Sequence, residues 1–233
     1  MRCRKFVALG IGMDDNVVAA MARWPNVPDA FGWLSLDRRG RWRLHARGDA
    51  ARGGTGEEIA HPGVQAFIGR NYLRDDAGRW YFQNGPQRVF LRLDGAPLIL
   101  RTGDTGAGLV AHTGAQVSAV HEWAIDADGN LYAATDLGPG LVEDRDLERV
   151  LDGMTGEDGR PLDEAAPDWL QRLLEGGGAP DAPAAAFSVR CRALPDAVVP
   201  LRPLAGGADR HFGFVANPQG SESAGDCVGG QPE

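Results

Sequence analysis

The sequence predicts an α+β protein, with antiparallel β-hairpin repeats forming one or two curved sheets packed by a few short helices. Three observations predict it. First, one short pattern is written three times: Asp37-Arg38-Arg39-Gly40-Arg41-Trp42, Asp75-Asp76-Ala77-Gly78-Arg79-Trp80 and Asp126-Ala127-Asp128-Gly129-Asn130-Leu131. Asp at the first position and Gly at the fourth suit a type I turn whose Gly takes positive φ in a bulge, so each copy reads as a hairpin. Second, the flanks alternate. Trp42 and Leu44 share one face while Arg41, Arg43 and His45 share the other, as in a strand with one dry side. Third, residues 62–72, 144–154 and 163–175 carry apolar side chains at helical spacing.

In chain order, Pro25 and Pro28 hold an extended lead-in over residues 22–30. Residues 31–36 and 41–45 are the strands of the first hairpin, and the Gly-, Arg- and Glu-rich stretch 47–58 reads as a mobile loop. Pro62 suits the first turn of a helix whose Val64, Phe67, Ile68 and Tyr72 form one stripe. Residues 79–83 and 87–94 are strands around Asn84-Gly85-Pro86. Phe90 breaks the alternation of Val89, Leu91 and Leu93, as expected of a sheet covered in part on both faces. Residues 97–101, 109–112 and 116–125 are further strands, with a Gly-rich loop over 102–108.

The third hairpin runs from 122 to 135, and Asp136-Leu137-Gly138-Pro139-Gly140 follows it in echo of Asn84-Gly85-Pro86. The second and third units therefore read as copies of a larger duplicated motif, of which the first hairpin is a partial copy. Gly40, Gly78 and Gly129 are spaced by 38 and 51 residues, too unequal for a solenoid. Acidic residues open the helix at 144–154. Residues 187–192 and 211–216 are the last strand candidates. The expected organisation is an extension over 1–20, a core over 21–175 with a subdivision near 103–108, a linker over 176–186, C-terminal strands over 187–216 packing on the core, and a disordered tail over 217–233.

Composition excludes some partners. The chain of 233 residues holds 24 basic and 32 acidic side chains, a net charge of -8, which repels a phosphate backbone, so no nucleic acid is expected. No stretch is long enough to span a membrane. The three cysteines, Cys3, Cys191 and Cys227, are far apart and fit a reducing cytoplasm better than a disulfide framework. Met1-Arg2-Cys3-Arg4-Lys5 and the apolar run 6–13 imitate the start of a signal peptide, but Asp14-Asp15 follow at once. A start at Met21 is the alternative.

Four constellations bear on chemistry. Asp104-Thr105-Gly106-Ala107 copies the aspartic-protease signature, which needs a second carboxylate that only a homodimer would supply; the simpler reading is a strand-connecting loop. Asp126, Asp128 and Asn130 imitate a calcium loop, but Gly129 and Leu137 fall where that loop needs other residues. Of the histidines His45, His61, His112, His121 and His211, only His112 and His121 sit where neighbouring strands would bring them together, and no metal or cofactor is expected. The most unusual polar cluster is Gln83-Asn84-Gly85-Pro86-Gln87-Arg88 with Arg70-Asn71 before it. Amides and guanidinium groups there suit a polar ligand or peptide. The ligand-binding candidates are Arg70, Asn71, Gln83, Asn84, Gln87, Arg88 and Asp136.

Several segments carry a resemblance: Trp24-Pro25-Asn26-Val27-Pro28, Gly32-Trp33-Leu34, Phe67-Ile68-Gly69-Arg70-Asn71-Tyr72, Phe82-Gln83-Asn84-Gly85-Pro86-Gln87-Arg88-Val89 and Thr135-Asp136-Leu137-Gly138-Pro139-Gly140-Leu141-Val142. They resemble a proteobacterial family of unknown function over residues 21–218. Members of that family begin near the position of Met21, which the late-start reading would match. The second hairpin also resembles a second uncharacterised bacterial family built from repeated strand-and-helix motifs, which implies a non-catalytic, signalling or ligand-sensing role. Neither resemblance brings catalytic residues. The expected function is a non-catalytic cytosolic module that binds a small molecule or protein. The alternatives are a hydrolase, using Asp104 in a dimer or a His112/Asp126 site, and a scaffold pairing through an exposed sheet edge.

Overall fold

The computed structural model describes residues 13–103, 108–168, 186–204 and 206–220. The described residues form a mixed α+β fold of two sheets and five short helices. Helix α1 (Asp15–Arg23) is followed by β1 (Ala30–Leu36), β2 (Trp42–Leu44), a short 3₁₀ turn (Ala50–Arg52), β3 (Glu57–Glu58), α2 (Pro62–Arg70), β4 (Tyr72–Arg74), β5 (Trp80–Asn84) and β6 (Gln87–Leu93). Then come β7 (Leu98–Thr102), β8 (Leu109–Ala111), β9 (Gln116–Val117), β10 (Val120–Ile125), β11 (Leu131–Thr135) and β12 (Gly138–Val142). The chain continues through α3 (Asp144–Asp152), β13 (Met154–Gly156), α4 (Leu162–Ala165), β14 (Phe187–Cys191), β15 (Leu194–Pro203) and α5 (Ala208–Phe212).

The three repeated turns have the same anatomy. In each, the first Asp accepts from two backbone N–H groups, those of Arg39 and Arg41, of Ala77 and Arg79, and of Asp128 and Asn130. Its second oxygen accepts from Arg41 Nε, Arg79 Nε or Asn130 Nδ2. Gly40, Gly78 and Gly129 adopt φ of 75°, 78° and 80°, the left-handed region that a Cβ disfavours. Each sequence pattern thus reads directly as a closed hairpin, because all its bonds are local.

The duplication is real but is cut differently from the way the sequence suggests. The first sheet has the order β3-β2-β1-β6-β5-β4, and the second has β13-β14-β15-β10-β11-β12-β7-β8-β9. The run β9-β8-β7-β12-β11-β10 repeats the first sheet strand for strand. In both, an antiparallel three-strand run is followed by a meander whose last strand pairs parallel with the first strand of the run, β6 with β1 and β12 with β7. The first hairpin is therefore the counterpart of β7–β8, not a partial copy of the other two. The Gly-Pro corners are not equivalent either. Gly85 and Pro86 are the loop residues between the paired Asn84 and Gln87, whereas Gly138 and Pro139 lie inside β12 and the loop residues are Asp136 and Leu137.

Strands β13, β14 and β15 extend the second copy beyond β10, where β15 runs parallel to β10. This longer sheet curls back on itself: the N–H of Gly108, beside β8, donates to the carbonyl of Ala193 in the β14–β15 turn. One core joins both sheets, with Leu36, Trp42, Tyr72, Trp80 and Leu91 from the first packed with Leu98, Leu100, Trp123, Leu131 and Leu201 of the second. A smaller cluster of Leu73, Tyr81 and Phe90 covers the other face of the first sheet, with Met13 and Phe31 against it. That second cover is why Phe90 breaks the alternation.

Local expectations shift in places. The stretch 47–58 contains the 3₁₀ turn and β3, and the predicted strand at 211–216 begins instead as α5, stopped by Gly213 at φ 68°. Beyond it, Val215 donates to the Gly78 carbonyl and Ala216 accepts from Leu93, fastening the C-terminal segment to the second hairpin. Helix α1, which begins within the stretch read as an extension and runs past it, buries Val17. Most of the segment read as a linker, and the tail beyond 220, lie outside the described residues, as does the last part of the helix expected over 163–175.

Candidate functional site

The polar residues singled out by the sequence are held in structural bonds. Arg70 makes a bidentate pair with Asp14, whose carboxyl is held below its usual range by that guanidinium. Asn71 is fully buried; its amide donates to the Phe67 carbonyl and its oxygen accepts from Asp14 N. Gln83 is buried beside it, donating to the Gly85 carbonyl, while its Oε1 has no hydrogen-bond partner among the described residues. Asn84 is exposed at the end of β5. Gln87 donates to the Pro28 carbonyl, and Arg88 clamps Asp29 bidentately while lying over the rings of Tyr81 and Phe90. These residues together hold the chain before β1 and α1 against the meander β4–β6. Asp136 belongs to the other sheet, where it accepts from Ser118 N and Ala119 N.

The residues of the hydrolase alternatives are also placed. Asp104 lies outside the described residues. Asp126 occupies its turn as described above, bonded to Asp128 N, Asn130 N and the Asn130 amide, whereas the His112 ring packs between Trp42 and Tyr72. The N–H of Ile99 donates to His112 Nδ1, so the ring proton sits on Nε2. Burial, reinforced by Arg101 and opposed by Asp37, pushes its pKa down to about 3, leaving a neutral ring at ordinary pH.

Tertiary structure also assembles a chain that sequence reading missed. Ser35 Oγ lies 2.8 Å from His45 Nε2, and His45 Nδ1 lies 3.3 Å from Asp49 Oδ1. The order is that of a hydrolytic triad, but Ser35 is fully buried in β1, and Gly56 covers the imidazole so closely that a Cβ there would come within 2.8 Å of Cε1. A nucleophile needs substrate at its oxygen. This trio instead pins the loop after β2 to β1.

A cavity of about 270 Å³ opens where the curled sheet meets itself. Thr102, at the end of β7, forms one wall. Arg149 and Val150 of α3, with Gly153 behind them, form the second, and Cys191, Arg192 and Ala193 of the β14–β15 turn form the third. Four strands separate β14 from β7 in sheet order, so only the curl unites these walls. Arg149 donates to Thr102 Oγ1, which donates in turn to Asp146. The Cys191 thiol is free and buried, and burial pushes its pKa up, so it stays protonated. Sequence offered no signal for this site: Arg149 reads as a helix surface residue, and Arg192 as the last residue of a strand. Among the described residues no group of three His, Cys, Asp or Glu is placed to hold a metal ion. No described helix is long and apolar enough to cross a membrane.

Fold and cavity together define an α+β protein built from a duplicated six-strand unit, with its cavity at the closure of the larger sheet. The chain belongs to the family described as "Protein of unknown function (DUF2946)", whose model matches residues 13–219. No curated protein matches it. Among solved structures it is similar to a DUF1285 family protein from Silicibacter pomeroyi DSS-3, at 15% identity and a TM-score of 0.47, over 87% of this chain and 93% of that one.

Proposed function

We propose that this protein is a non-catalytic cytoplasmic binding module whose ligand is a small molecule seated in the cavity between Thr102, α3 and the β14–β15 turn. The cavity carries this reading. It is close to the size of small-ligand sites and has convergent polar groups on three separate walls. It lies where the curl of the larger sheet brings β7 towards the β14–β15 turn. The non-catalytic part is supported by the bonding of the reactive side chains: Ser35 is buried, the His112 ring packs between Trp42 and Tyr72 with Nδ1 accepting from Ile99 N, and Asp126 is committed to its turn. A free buried thiol suits a reducing compartment.

The test is amide chemical-shift mapping of the full chain against a fragment set spanning anionic, neutral and cationic compounds of up to about a dozen heavy atoms. Saturable shifts centred on Thr102, Gly153 and Ala193 are expected. Shifts confined to the Arg70–Arg88 region, or none with any fragment, would overturn the cavity as the site.

A further inference from the structure

Arg192, exposed at the cavity, has no ion-pair partner among the described residues, although the chain carries a net charge of -8. Its neighbour across the cavity, Arg149, lies 3.7 Å from Asp146, so one carboxylate stands against two guanidinium groups. That carboxylate is already occupied by the N–H and hydroxyl of Thr102. The end of α3 would disfavour an anion if its carbonyls were bare. They are not: the Gly153 N–H covers those of Arg149, Val150 and Leu151, and the Gly153 carbonyl accepts from Arg192 N. The Cys191 thiol is neutral and adds no charge. Among the described residues facing the cavity, two guanidinium groups thus stand against one carboxylate, and Arg192 is a fork-shaped donor suited to two oxygens of one anion.

Resting on the cavity reading above, we propose that the ligand is a small oxyanion, carboxylate- or phosphate-bearing, clamped by Arg192 with Arg149 as its second support. Binding it leaves the Thr102–Asp146 contacts in place and exchanges only the hydrogen bond from Arg149 to Thr102. Arg149 and Arg192 are both largely exposed, so the attraction is screened by salt.

The experiment titrates the full chain with succinate, inorganic phosphate, the isosteric neutral succinamide, and 1,4-diaminobutane, following the Thr102, Gly153 and Ala193 amides and the arginine side-chain Nε signals. Succinate or phosphate is expected to shift them, and succinamide and the diamine are not. Which of the two anions binds more tightly separates a carboxylate from a phosphate ligand. Arg192→Gln should weaken the anion about tenfold, a loss of one guanidinium contact, and Arg192→Lys should restore part of it. Raising the salt to 0.5 M should weaken it further. If succinamide matches succinate, the oxyanion inference falls while the cavity reading stands. If no probe moves those amides and the wider fragment set does not either, both fall. Unchanged anion affinity in Arg192→Gln, with a native amide spectrum, would also overturn the clamp.

Discussion

Gly138 lies against the indole of Trp80, close enough that a Cβ on it would come within 3.1 Å of the ring. Its φ of 126° is one that side chains rarely adopt. This contact joins the two copies of the repeated unit, since Trp80 opens β5 of the first and Gly138 opens β12 of the second. Both reasons forbid a side chain here, one from the backbone and one from packing.

Gly138→Ala should therefore destabilise the protein by more than about 2 kcal/mol. Gly129→Ala separates the two reasons, because its φ is 80° but nothing lies within 4 Å of its would-be Cβ. It should cost only about 1 kcal/mol, the backbone share. Urea unfolding of both variants checks this, and equal losses would refute the packing share.

The acid side of the stability curve should depend on Asp37. Burial raises its pKa, but hydrogen bonds from Arg41 and Arg39 N–H and the Arg41 guanidinium outweigh that and hold it below 3.8. A carboxyl lowered on folding stabilises the fold at pH above its unfolded value, and that contribution disappears as pH falls below about 4. Asp37→Asn should lose about 1–2 kcal/mol at pH 7. Its deficit relative to the native chain should shrink as pH drops below 4, measured by chemical unfolding across pH 7 to 2.5.

His112 works over a different window. The unfolded chain takes up the imidazole proton near pH 6.5, while the folded chain resists it down to about 3. Unfolding is thus favoured progressively as pH falls from 6.5 towards 3, by up to roughly 4 kcal/mol. His112→Asn keeps an acceptor for the Ile99 N–H but cannot titrate. Its stability should fall more gently with pH over that range, by up to about 1.4 kcal/mol per pH unit. Parallel curves for the two proteins would show that the ring titrates freely in the fold.

The Ser35–His45–Asp49 chain should behave as a structural clasp. Ser35→Ala leaves a buried imidazole nitrogen unpaired and should cost about 1–3 kcal/mol. Adding His45→Leu should recover part of that loss, because an apolar pair needs no partner. Hydrogen exchange in residues 46–56 should accelerate in the single variant. A single variant as stable as the native protein would argue that the hydroxyl is not needed there.

Much of the fold was legible in the residues themselves. The Asp-x-x-Gly turns, α2 and the start of α3 follow from bonds made within a few residues, and Phe90 already signalled a sheet covered on both sides. The pairing of the Gly-Pro corners misled, because Gly85 is needed for a turn whereas Gly138 is needed for room beside Trp80. The two requirements look alike in sequence. The candidate site was the reverse case. Of the polar residues that stood out by composition, Arg70 pairs with Asp14 before α1 and Arg88 with Asp29 in the lead-in chain.

By itself, the sequence determined the class, the hairpins and the short helices, since turn chemistry and periodicity are local properties. The tertiary structure alone decided which strands are neighbours. Parallel pairing of β6 with β1 and of β12 with β7 joins residues far apart in the chain, and no local preference encodes it. The same holds for the cavity: Thr102, Arg149 and Arg192 meet only because three added strands extend the second sheet until it curls onto itself.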